Sequence, residues 1–116
     1  MSDTAVAALR AATQGAHYHV DAACGRFDLT SRAGYRALLT AHARALPAAE
    51  ARMRALPFAA TLEPRLPLLA ADLADLGLAM PPPLALGSDE GAAGAWGVLY
   101  VVEGSRLGGA VLAQSV

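Results

Sequence analysis

Leu9-Arg10-Ala11-Ala12-Thr13-Gln14-Gly15-Ala16-His17-Tyr18-His19-Val20-Asp21 reads as the middle of a helix. Alanine and leucine head the helix scale, and apolar or small residues recur at steps of three and four. The pattern extends to a helix from about Thr4 to Cys24. Ser2, Asp3 or Thr4 supplies the cap and Gly25 the stop. Val6, Leu9, Thr13, Ala16 and Val20 form one stripe, which is expected to be buried. Arg10 and His17 are separated by two turns and point the same way, whereas His19 lies about 200° round from His17. A neutral imidazole with a cation two turns away suits a group that takes a nitrogen ligand at its centre and carries an anion at its edge. An ordinary, partly buried histidine satisfied by its neighbours fits the same spacing.

The chain beyond repeats the helical theme. After Arg26-Phe27-Asp28-Leu29, Thr30 or Ser31 caps a second helix running through Leu46, with Tyr35, Leu38, Leu39, His42 and Leu46 on one face. Pro47 is a point of kinking or termination, although Ala48-Ala49-Glu50-Ala51-Arg52-Met53-Arg54 still favours helix. A third helix is expected from about Pro64 to Leu76, with Leu66, Leu69, Leu73 and Leu76 inward and Gly77 as its C′ residue. Met80-Pro81-Pro82-Pro83-Leu84 is a stiff, extended connector. Ser88 then caps a last helical segment reaching the end of the chain. There is no internal repeat and no useful strand-like alternation, so the fold class is all-α.

Composition agrees and excludes other functions. The chain of 116 residues is one domain at most, 55% hydrophobic but only 5% aromatic, so its core draws on alanine, leucine and valine. All nine basic residues are arginine, net charge is −1 and no basic run occurs, which argues against nucleic acid. Cys24 is the one cysteine, so no internal disulfide or zinc site follows, and it is expected to be a small buried residue. Asp3 and Arg10 spoil a secretory pattern. The mean hydropathy is +0.38, yet the strongest apolar run, Trp96 to Val102, is interrupted at once by Glu103 and Arg106. That is far short of the ~20 residues a membrane span needs. The expected location is cytoplasmic, without membrane partners.

A second stretch stands out: Glu103-Gly104-Ser105-Arg106-Leu107-Gly108-Gly109-Ala110. With Gly91, Gly94 and Gly97 upstream, one segment carries six glycines, each costing about 1 kcal/mol relative to alanine inside a helix. Such glycines permit a bend, close helix packing or the approach of something flat; a loop is the remaining alternative. Trp96 is expected to anchor packing.

Taken together, the two stretches resemble a family pattern. Leu9-Arg10-Ala11-Ala12-Thr13 followed by His17 resembles the proximal helix of haem oxygenases. Leu99-Tyr100-Val101-Val102-Glu103-Gly104-Ser105-Arg106-Leu107-Gly108-Gly109 resembles the distal-helix motif of the bacterial, bacteriophytochrome-associated branch. The order is the family's, and similarity extends over Arg32-Ala33-Gly34-Tyr35 and Asp72-Leu73-Ala74-Asp75-Leu76-Gly77.

The resemblance implies a haem-oxygenase-like helical bundle, residues 1–116 forming a single partial domain that stops before the family's last helices. It implies cleavage of haem to biliverdin, carbon monoxide and ferrous iron, with haem as both substrate and cofactor, O2 as oxidant, and electrons from a ferredoxin or reductase. His17 takes the place of the iron ligand and Arg10 that of a propionate partner. Thr13, Tyr100, Gly104, Gly108 and Gly109 match haem-contacting positions, and Gly104, Ser105 and Gly108 match the distal catalytic segment. Ser105 stands where animal members carry an aspartate, as is common in the bacterial branch. The early stop leaves three expectations open: a fragment, a short relative that covers its apolar surface as a homodimer, or a degenerate member. The alternative function is a non-catalytic binding or regulatory module of the same architecture. A di-iron oxygenase is disfavoured, because no Glu-x-x-His pair occurs, and a packing protein using Gly104 and Gly108 is the remaining reading.

Overall fold

A computed structural model describes residues 3–87 and 91–114, with side chains left undescribed at 107–109, 111 and 112. Its described residues form an all-α chain: α1 (Asp3–Cys24), α2 (Arg32–Met53), a short 3-10 turn (Ala59–Thr61), α3 (Leu66–Asp75) and α4 (Gly91–Ala113). The expected Ser88 cap lies outside the described residues. α2 packs on α3 and on α4, while α1 packs extensively on none of them. The radius of gyration, 15.3 Å, exceeds the ~13 Å of a compact chain of this length, as an outlying helix requires.

α2 begins in a knot of local bonds. Ser31 adopts extended backbone and its Oγ accepts from the Gly34 N–H at 3.0 Å, the N-cap arrangement that satisfies one orphan donor. The Asp28 carbonyl accepts from both the Ser31 N–H (3.2 Å) and the Ser31 hydroxyl (3.0 Å). Asp28 Oδ1 accepts from the Thr30 hydroxyl at 2.6 Å and the Thr30 N–H at 3.0 Å. The hydroxyl first and the amide second hold the Asp28 carboxyl below its ordinary value of 3.8. A depressed carboxyl contributes stability above its unfolded value and loses it as pH falls through the folded one. Thr30→Val is therefore expected to lower Tm at pH 7, with the deficit closing as pH is brought below about 3.8. A deficit unchanged from pH 7 down to pH 2 would assign the effect to something other than the carboxylate.

Pro47 lies inside α2 without ending it. A proline there removes the amide that would bond the Ala43 carbonyl and crowds that turn. Beside the interrupted rung, the Arg44 carbonyl accepts from the Leu84 N–H at 2.7 Å, pinning the proline-rich connector to α2. α3 ends in a Schellman motif: Leu78 N–H donates to the Leu73 carbonyl at 2.8 Å and Gly77 N–H to Ala74 at 2.9 Å. Gly77 takes φ +74°, as the αL position demands. The core sits where α3 meets α2: Ala43, Leu69 and Leu73 are buried, with Leu39, Leu46 and Leu78 against them. Leu38, Met53, Leu56, Ala95 and Val102 are also buried.

Several expectations of burial are corrected. No residue of α1 is buried, and Leu9, Thr13, Ala16 and Val20 of the anticipated stripe are exposed, Val6 being half-buried. Periodicity marks the face a helix could bury; here no described element covers it. Cys24, at the end of the same helix, is exposed for the same reason. Leu69 and Leu73 are the buried members of the α3 set, Leu66 and Leu76 being intermediate at the two ends of the helix. Trp96 does pack, its ring 5.1 Å from that of Phe58, yet half of it remains exposed.

Candidate functional site

α1 presents Arg10, Ala11, Thr13, Gln14, His17, Tyr18 and Asp21 along one open, solvent-exposed face. The helix brings these together through its own repeat, at steps of three, four and seven. Thr13 Oγ1 donates back to the Leu9 carbonyl at 2.8 Å, which satisfies its hydroxyl within the helix. Gln14 donates to the Tyr18 hydroxyl at 3.2 Å, stiffening the rim. His17 is largely exposed, and its Nδ1 lies 3.8 Å from Asp21 Oδ2. That separation is within ion-pair reach but beyond a hydrogen bond. The Asp21 carboxylate stands near the ring without a hydrogen bond to it, and the exposed imidazole is open to a guest. Gln14, Tyr18 and Asp21 were not singled out by the sequence, although their i, i+4 spacing to Arg10, Gln14 and His17 carried the signal.

α4 offers a second open face. Ala95 and Val102, two turns apart, are buried toward the bundle. Gly97 and Gly104 lie about 200° round from them, with Tyr100 and Val101 between. Tyr100 is 81% exposed and Val101 67%. No described atom outside the helix's own turn lies within 4 Å of a Cβ built on Gly97 or Gly104. Close packing against a described element therefore does not explain either glycine. Gly108 falls on the same face by spacing, and Gly108 and Gly109 both lie within α4, although their surroundings are not described.

Ser105 points elsewhere. Its hydroxyl accepts from Arg65 Nη1 at 2.7 Å and donates to the Val102 carbonyl at 2.7 Å. Arg65 also donates to the Val102 carbonyl at 3.2 Å, so Ser105 belongs to the junction of α4 with the start of α3. Arg106 Nε bonds Glu103 Oε2 at 2.7 Å and its Nη2 bonds the Glu63 carbonyl at 2.9 Å. The first bond lies within α4, and the second ties α4 to the segment before α3. Of the residues singled out by the sequence, Arg10, Thr13 and His17 share the open face of α1. Tyr100 and Gly104 share the open face of α4, and Ser105 joins neither.

Among the described residues no three His, Cys, Asp or Glu side chains gather as a metal site. No described helix is long and apolar enough to cross a membrane. No protein-family model, curated protein or solved structure matches the chain.

Proposed function

We propose that this chain binds haem through α1 and acts as a haem oxygenase, cleaving haem to biliverdin, carbon monoxide and ferrous iron. The reading rests on the sequence resemblance. The observation that best supports it is the open face of α1, where an exposed imidazole stands two turns from an arginine and no described element buries either. These residues fit the group: one imidazole is enough to ligate haem iron, and a guanidinium suits a propionate.

In this reading haem is the substrate and its iron supplies the oxygen chemistry, with electrons from a ferredoxin or reductase. The His17 imidazole would ligate the iron, with the Asp21 carboxylate near its ring. Arg10 orients a propionate; as an exposed pair it contributes only about 0.2–1 kcal/mol. Leu9, Tyr18 and Val20 offer apolar surface, and the open stripe of Gly97, Tyr100, Val101 and Gly104 lets a flat group approach the α4 backbone. Cytoplasmic location belongs to the same proposal.

A hemin titration followed by visible absorption tests this. Wild-type chain is expected to saturate at one haem with a sharp Soret band. His17→Ala is expected to lose that band or change its character, and Asp21→Ala to weaken binding by only about 1.5–5-fold, the size of an exposed pair. Loose hemin binding, identical in all three, would sink the reading. The engagement of Ser105 by Arg65 favours one second reading, a haem-binding module without turnover. One bound haem that yields no biliverdin when a reductant is supplied would select it.

A further inference from the structure

On the side of α4 facing the bundle, α2, α4 and the segment before α3 line a small, partly open cavity of about 30 Å³. Glu50, Arg54, Glu63, Val102, Glu103 and Arg106 are among the residues lining it. Glu50 is only 7% exposed. Its Oε1 accepts from the backbone N–H groups of Arg65 (2.7 Å) and Leu66 (3.2 Å), capping α3 from a different helix. Its Oε2 is buried with no partner among the described residues. Glu103 lines the same cavity from α4. Oε2 accepts from Arg106, while Oε1 is buried and without a partner among the described residues.

Two carboxylates from two helices thus line one cavity, each with one oxygen served and one unserved. Unpaired buried acceptors are rare because losing water without a replacement donor is costly. The cavity exceeds the roughly 10–15 Å³ that one water needs. Water offers two O–H donors, matching the two unserved acceptors. A metal cation would meet two carboxylate ligands but also two arginines, Arg54 and Arg106, in the same lining. We propose that this cavity is a site for one ordered water that donates to Glu50 Oε2 and Glu103 Oε1. The water joins α2 to α4 one residue before Gly104 and completes the satisfaction of both carboxylates. The inference is independent of haem.

The test is a high-resolution crystal structure of the haem-free chain and of Glu103→Met, with thermal unfolding in sodium, potassium, ammonium and choline chlorides at equal ionic strength. The expected result is a single density peak about 2.5–3.0 Å from both oxygens in the wild type. It should be lost in Glu103→Met, where one acceptor is gone. Tm should be the same in all four salts. Three results would overturn the proposal: no peak in the wild type, a peak that persists in Glu103→Met, or a Tm raised by one inorganic cation above choline in the wild type. The wild-type density and the salt series stand even where the variant folds poorly.

Discussion

Leu73→Ala is expected to destabilise the chain by about 2–5 kcal/mol, the range for a fully buried leucine cut back to alanine. Leu73 has no exposed surface and sits where α3 meets Ala43 of α2. Its carbonyl also receives the Leu78 amide of the Schellman turn, so the side chain and the helix stop share one position. Domains of this size hold only about 5–15 kcal/mol in total, so the substitution removes a large share of the whole. Urea unfolding followed by circular dichroism measures it. Leu9→Ala is the internal control: Leu9 is 52% exposed, and its loss should lie within about 0.5 kcal/mol. Equal losses at the two positions would contradict the placement of α1 outside the core.

Gly34→Ala is expected to cost about 1–3 kcal/mol, although alanine is the better helix former by about 1 kcal/mol. A Cβ at this position would run into the backbone carbonyl of Asp28, with the Asp28 nitrogen only 2.8 Å away. The obstacle is backbone, and that backbone is held by Ser31, whose amide and hydroxyl both donate to the same carbonyl. Relief would require opening the N-cap of α2. Gly15→Ala should have the opposite sign. No described atom lies within 4 Å of a Cβ there, so alanine should stabilise by about 0.4–1 kcal/mol. Urea midpoints of the two variants, one below wild type and one above, would carry the argument. A midpoint for Gly34→Ala at or above wild type would refute the close approach.

The punctuation of the fold was legible in the sequence because it is local chemistry. Ser31 as a cap, Gly77 in the left-handed region and the three prolines as an irregular connector follow from side chains acting on neighbouring backbone. α2 running through Pro47 was only half legible: the sequence showed a weak point, and the continued helix is held from outside by α3 and α4. Glu50 was not singled out, because its role as a cap for α3 joins positions fifteen and sixteen residues apart that no local pattern links. The candidate site divides in the same way. Arg10, Thr13 and His17 share a face of α1 because the helical repeat places them there. The bond from Arg65 to the Ser105 hydroxyl spans forty residues, and no local pattern announces it.

The tie between α2 and the connector bears on which sequences this fold tolerates. Pro81, Pro82 and Pro83 have no amide hydrogen, so Leu84 is the first residue after them able to donate one. The bond it makes to Arg44 is backbone to backbone. Neither side chain takes part, and Leu84 is largely exposed. Position 84 is thereby open to drift across nearly every amino acid, with a fourth consecutive proline the one replacement that removes the donor. A sequence comparison seeking this tie by residue identity would find nothing to align. Its mark is the register of the first non-proline residue against Pro47.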